Sequence, residues 1–138
     1  MATFLDTNVA VYVHDHGAED KRRQAVDLFK SPPDRLVVST QVLSEFYWTV
    51  TRKLDPPLPR PQALDATQQL AALAVVAVDR SLVLAAIDTA TQHQLALWDA
   101  MIVEAAVRGG CDHLLTEDLN DGQEIRGVRV ENPFKASV

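Results

Sequence analysis

Four carboxylates are spaced so that each stands where an apolar run ends or a helical pattern begins. Asp6 follows Thr3-Phe4-Leu5. Glu45 lies one turn into the segment after Leu36-Val37-Val38. Asp99 opens the pattern Trp98-Asp99-Ala100-Met101-Ile102-Val103-Glu104-Ala105-Ala106, and Asp118 follows His113-Leu114-Leu115-Thr116. If the apolar runs are parallel strands, their carboxyl ends share one edge of a sheet, the edge at which open α/β sheets carry their sites. Acids gathered there repel one another and require a cation, and an all-oxygen set suits Mg²⁺ or Mn²⁺. Metal-activated water acting on a phosphodiester, the chemistry of a metal-dependent nuclease, is what such a set can do.

Each acid also has an ordinary structural explanation. Asp6 fits the N-cap of a following helix. Asp99 fits a helix N-terminal acid favoured by the dipole, though its apolar neighbours Leu97, Trp98, Ala100 and Met101 suggest burial, which demands a partner or a metal. On a helical wheel Glu45 points almost opposite the apolar stripe Leu43, Phe46, Tyr47 and Val50, as a solvent-facing glutamate would. Thr116-Glu117-Asp118-Leu119-Asn120-Asp121-Gly122 could be an Asx-rich turn. It lacks the ligand ladder of a calcium-binding helix–loop–helix. His14-Asp15-His16 reads as polar loop surface. There is no nucleophile elbow, glycine-rich phosphate loop or CxxC pair, so covalent nucleophilic catalysis has little support.

Strands and helices must alternate to position these acids. The pattern predicts a first strand at 3–5, a short helix at 9–13, a helix at 18–30 and a second strand at 36–39. Thr40 is the expected N-cap of a helix running to Lys53. A proline-rich loop at 55–61 leads to a helix at 62–72 and a third strand at 75–78. The helix at 81–94 is expected to turn Leu84, Ile87 and Leu95 inward. The helix at 98–108 carries Trp98, Met101, Ile102, Ala105 and Ala106 at i, i+3, i+4, i+7 and i+8, and Gly109-Gly110 stops it. A fourth strand at 113–116 and a short fifth at 128–130 complete a parallel, doubly wound α/β pattern.

The 138 residues suit one domain with a real core. Hydrophobic residues make up 47% and charged residues 23%, within the range of globular proteins. No apolar run approaches the ~18 residues of a membrane span, and no signal-peptide pattern is expected. The one cysteine, Cys111, excludes an internal disulfide and fits a reducing cytoplasm. The net charge of −6, from 13 basic and 19 acidic residues, counts against nucleic-acid binding. A bound metal would reverse the local charge of the acidic set, and basic residues cluster at Lys21-Arg22-Arg23 and at Arg52-Lys53.

Taken together, the motifs resemble the PIN-domain ribonucleases, and within them the VapC toxins of bacterial toxin–antitoxin pairs. The matching segments are Phe4-Leu5-Asp6-Thr7-Asn8, Ser39-Thr40-Gln41-Val42-Leu43-Ser44-Glu45-Phe46, Leu97-Trp98-Asp99-Ala100, Gly110-Cys111-Asp112 with Leu115-Thr116-Glu117-Asp118-Leu119, and Gly127-Val128-Arg129-Val130-Glu131-Asn132-Pro133-Phe134. They run in order over essentially the whole chain, so a single domain over 1–138 is expected. The resemblance implies an α/β/α sandwich on a parallel sheet of four to five strands, ordered 3-2-1-4-5. It implies a catalytic and metal-binding set of Asp6, Glu45, Asp99 and Asp118. Thr7, Asn8 and Thr116 would support that set, and Glu117 or Asp121 could join or assist its fourth position. It further implies one or two Mg²⁺ ions, with Mn²⁺ as a possible substitute. The implied reaction is RNA cleavage to a 5′-phosphate and a 3′-hydroxyl, the implied partner a cognate VapB-type antitoxin, and the implied assembly a homodimer.

A catalytically silent PIN-like module that binds RNA or protein is the alternative. A haloacid-dehalogenase-type phosphatase would need a second Asp two residues after Asp6, where Asn8 stands. A receiver-type phosphoacceptor would need an acid pair and a late lysine that the chain does not display.

Overall fold

The computed structural model describes residues 1–134, so the last four positions of the single domain expected over 1–138 lie outside it. The elements run β1 (Ala2–Leu5), α1 (Thr7–Tyr12), α2 (Glu19–Lys30), β2 (Arg35–Ser39), α3 (Thr40–Arg52), α4 (Arg60–Ala71), β3 (Ala74–Val76), α5 (Arg80–His93), α6 (Leu97–Arg108), β4 (His113–Leu115), β5 (Glu124–Ile125) and β6 (Val128–Glu131). They form one sheet of order β3-β2-β1-β4-β6-β5. Every pairing is parallel except β5 with β6. The expected fifth strand is β6, beside β4. The sheet gains one strand over the four to five expected, because Arg126 (φ 55°) and Gly127 (φ 79°) form a two-residue turn that folds Glu124–Ile125 back on β6.

β1 and β2 are buried along almost their whole length. Helices flank the sheet, so Phe4, Leu5, Val37, Val38 and Leu114 are continuous apolar runs rather than alternating ones. β1 and β4 adjoin in register, Leu5 opposite Leu115. From β1 the chain adds β2 and β3 on one side and then returns to add β4 and β6 on the other, which makes the carboxyl ends of β1 and β4 the switch point of the sheet.

Three helix expectations are corrected. The side chain capping α3 is Ser39, which accepts from the Val42 amide at 3.3 Å, and Thr40 instead accepts from the Val78 amide at 3.1 Å. On α5 the buried positions are Leu82, Ala86 and Thr89, while Leu84 and Ile87 are exposed. The small Ala86 and Thr89 let α5 pack closely, so the bulkier residues face out; Leu95, past the helix, does pack on the core. On α6 the run Ala100 to Ala106 is buried on all sides, but Trp98 stands 63% exposed.

α6 ends as expected at its glycine pair. Gly110 takes φ 69°, with its amide bonded to Val107 O at 3.1 Å and the Cys111 amide to Ala106 O at 2.9 Å. Gly109 is required by packing, since a Cβ there would lie 2.9 Å from Val37 Cγ1. Buried Glu104 accepts from Thr89 Oγ1 at 3.0 Å and from both Nε and Nη2 of Arg126, at 3.0 and 3.1 Å, tying α5 and α6 to the β5–β6 turn. Among the described residues no helix is long and apolar enough to cross a membrane.

Candidate active site

The ends of β1 and β4 and the first turns of α1, α3 and α6 surround a cleft of roughly 750 Å³, and Asp6, Glu45, Asp99 and Asp118 all line it. Asp6 is the deepest, 6% exposed at the end of β1. It does cap α1, since Oδ1 accepts from the Thr7 amide at 2.7 Å. Its second oxygen accepts from Thr116 Oγ1 at 2.8 Å, at the end of the neighbouring β4. The cap therefore accounts for only half of the carboxylate.

Thr116 Oγ1 is a hub. Besides donating to Asp6 it accepts from the Asp118 amide at 3.1 Å and from Asn8 Nδ2 at 3.2 Å. Asn8 Nδ2 also donates to Asp118 Oδ2 at 3.1 Å, and Asn8 Oδ1 accepts from the Glu117 amide at 3.4 Å. Thr7 Oγ1 donates to Glu45 Oε1 at 2.7 Å, and Gln41 Nε2 reaches Glu45 Oε2 at 3.4 Å. The three polar residues flanking Asp6 and Asp118 in sequence thus orient three of the four acids. Asp99 accepts no hydrogen bond from any described residue, so both its oxygens remain open to an incoming group.

The electrostatics agree with the crowding. Burial pushes Asp6 up from the ordinary 3.8 to about 6, partly opposed by the Thr116 and Thr7 hydrogen bonds and reinforced by the charges of Asp118 and Glu45. Asp99 is also raised, chiefly by burial and then by the same two carboxylates. Four carboxylates on one cleft are hard-oxygen donors of the kind a divalent cation takes. Among the described residues, as their side chains are placed, no three His, Cys, Asp or Glu groups are positioned to hold an ion. Thr7 and Asn8 hold Glu45 and Asp118 on their own donors.

Of the two auxiliary acids, Glu117 lines the cleft but is committed elsewhere. Tyr12 Oη donates to Oε1 at 2.6 Å, and Lys21 Nζ donates to Oε2 at 2.9 Å and to Tyr12 Oη at 3.2 Å. Asp121 lies outside the lining, and its Oδ1 accepts from the Asn132 amide at 2.8 Å. Tyr12, Lys21 and Gln41 are site residues that sequence reasoning passed over. Lys21 was legible only as part of a basic face, and Gln41 stands one helical turn before Glu45.

The histidine loop is not brought to the acids: His14 packs edge-on against Phe46, centroids 5.7 Å apart, and His16 pairs with Glu19. Burial pushes the Cys111 thiol up to about 11, which leaves it no role as a nucleophile.

A family model described as the PIN domain matches residues 3–122. No curated relative matches the chain by sequence. Among solved structures, a toxin–antitoxin complex from Klebsiella pneumoniae superposes with a TM-score of 0.72 at 18% identity, covering 97% of this chain and 99% of that one. VapC20 of Mycobacterium tuberculosis, described as a sarcin–ricin loop cleaving toxin, gives 0.66 at 20% identity over 81% and 86% of the two chains. VapBC-1 of nontypeable Haemophilus influenzae gives 0.65 at 20% identity over 98% and 100%. At these identities the likeness is one of fold.

Proposed function

The chain belongs to the PIN-domain family, and from that premise we propose that it is a divalent-metal-dependent endoribonuclease, the toxin of a toxin–antitoxin pair. The observation that carries the reading is the meeting of Asp6, Glu45, Asp99 and Asp118 on one cleft at the switch point of the sheet. A fold neighbour described as a toxin–antitoxin complex, the VapBC-1 structure, and one described as a sarcin–ricin loop cleaving toxin support the biological setting.

Asp6 and Asp99 would hold the principal Mg²⁺ or Mn²⁺, with Asp118 and Glu45 completing one or two ion sites. When bound, the ion supplies Lewis acidity to the phosphate and lowers the pKa of a coordinated water. The chain's own residues do the positioning. Thr116 and the Thr7 amide fix the Asp6 carboxylate, Asn8 turns Asp118 toward it, and Thr7 Oγ1 draws Glu45 across from α3. Asp99 would meet the ion without a competing donor. No side chain forms a covalent bond to phosphorus in this scheme.

A cognate antitoxin is the proposed protein partner. A homodimer is the proposed assembly; the exposed Leu84 and Ile87, three residues apart on α5, are apolar surface that a second copy could cover.

Incubation of total cellular RNA with the purified protein tests the reading, with Mg²⁺ or Mn²⁺, with EDTA, and with Asp6→Asn as control. Discrete fragments lost with EDTA and with the variant support it, and their ends identify the substrate. Neither cleavage nor Mn²⁺ binding by calorimetry would instead favour a silent binding module of the same fold.

A further inference from the structure

The chain has two tryptophans, and both stand exposed on the walls of the same cleft, Trp48 at 50% and Trp98 at 63%. Neither is needed by the core. On α3 the core face is Val42, Phe46 and Val50, whereas Gln41, Glu45 and Trp48, with Lys53 at its C-cap, line the cleft. Trp48 lies three residues past Glu45, about 4.5 Å further along the axis, and Lys53 eight past it, about 12 Å. Trp98 directly precedes Asp99 on the opposite wall. Gln41 Nε2 spans the two walls, donating to Trp98 O at 3.3 Å.

The cations beside Trp48 lie over its ring and leave their charges unpaired. Lys53 Nζ lies 5.3 Å and the Arg52 guanidinium carbon 6.0 Å from the Trp48 ring centroid. Neither forms an ion pair with any described carboxylate. The other basic cluster is spent internally, Lys21 on Glu117, Arg22 on Glu19 and Arg23 on Asp20.

Resting on the nuclease reading and sharpening it, we infer that Trp48 and Trp98 are base-stacking platforms for an unpaired RNA strand, whose backbone runs from the carboxylate floor toward Lys53 and Arg52. Indole faces accept any base, so the pair selects for strand state rather than sequence. A duplex hides its base faces and cannot seat on either wall. Lys53 on the cleft and Arg52 beside Trp48 answer the objection posed by the net charge of −6, because phosphate contact needs only local cations along the strand's path.

As the only indoles in the chain, the two tryptophans report on their own contacts. The test titrates Asp6→Asn protein with a short single-stranded RNA of mixed sequence, in Mg²⁺, and reads tryptophan emission. We expect quenching by the single strand and none by a duplex of the same sequence, with partial quenching kept in both Trp48→Phe and Trp98→Phe. Trp48→Ala and Trp98→Ala should each weaken binding roughly tenfold while melting like the parent. Should an alanine variant fail to fold, its phenylalanine counterpart, which keeps a ring, carries the emission test alone. Lys53→Gln should lower the slope of log K against log salt by about 0.7.

Unchanged emission on addition of RNA, or wild-type affinity in both alanine variants, overturns the inference. So does quenching by a purified cognate antitoxin but not by RNA, which would make the walls a protein-binding surface. RNA that binds and quenches, while total cellular RNA goes uncut by the wild-type protein and Mn²⁺ does not bind, defeats the nuclease reading alone. RNA that is cut with no change in emission defeats this inference alone.

Discussion

Thr7 and Glu45, 38 residues apart, are joined by a 2.7 Å hydrogen bond from Thr7 Oγ1 to Glu45 Oε1. The bond connects the first turn of α1 to the outer face of α3, and it gives direction to a glutamate that would otherwise sweep freely. Thr7→Val keeps the shape and removes the donor. Cleavage should fall about tenfold, the lower end of what loss of an outer-shell partner costs, with little change in melting temperature. Thr7→Ser should recover most of the rate. In a Glu45→Gln background Thr7→Val should add nothing further, and an additive loss would show that Thr7 acts elsewhere.

Asp6→Asn and Asp99→Asn should each abolish cleavage while the chain still folds. EDTA should do the same to the wild-type protein, and added Mn²⁺ should restore the wild type but neither variant. Gel assay alongside circular dichroism reads both halves. An Asp99→Asn protein that cuts RNA at the normal rate would remove Asp99 from the site.

Asp6 also couples the site to stability. Its folded pKa of about 6 exceeds the ordinary 3.8, so between those values the folded protein holds a proton that the unfolded chain has released. Stability in EDTA therefore falls as pH rises through that window and levels off above it, by about 2–3 kcal/mol at most. Asp6→Asn escapes this cost but leaves the Thr116 hydroxyl without its acceptor, so a net gain of about 1 kcal/mol is expected near pH 8. The gain should vanish below about pH 4. Denaturant melts across pH measure it, and a variant less stable than wild type at every pH would contradict the raised pKa.

The Glu104–Arg126 pair makes a separate prediction about the fold. Glu104 is 3% exposed and Arg126 closes on it with two nitrogens, so removing the cation leaves a buried acid held only by Thr89. Arg126→Ala should destabilise by about 1–2 kcal/mol, less than for a fully buried pair because the arginine is half exposed. Arg126→Asn also loses the ion pair but tolerates φ 55°, and should recover about 0.5–1 kcal/mol of that loss in thermal melts. Equal melting of the two variants would mean that the turn conformation contributes nothing.

The sheet was readable because its central strands are short, carry apolar runs at their middles and are bounded by clear stops. Asp6 and Asp118 were readable because they follow such strands. Glu45 was misleading for a physical reason. A helical wheel separates core from non-core and does not distinguish solvent from a cleft, so the face opposite Phe46 looked merely exposed. α5 misled because Ala86 and Thr89, the residues that pack, carry less hydrophobicity than Leu84 and Ile87, which do not. The same bias assigned Trp98 to the core stripe of α6. β5 escaped notice because two residues carry no periodicity and its turn has arginine where asparagine or glycine would signal it. Asp121 and Glu117 could not be ranked from sequence, since the difference lies in partners distant along the chain, Asn132 for one and Tyr12 with Lys21 for the other.

The adjacency of β1 and β4 has a consequence for the timing of activity during synthesis. Asp6 emerges first, yet its second oxygen is held by Thr116, 110 residues later, and β4 is itself flanked by β6. Contacts of such separation form late and together. A nascent chain still short of β4 therefore carries Asp6, Glu45 and Asp99 without the strand that closes their cleft. On the nuclease reading, then, the cleft gains its full set of acids only after β4 and the Asp118 that follows it have been made.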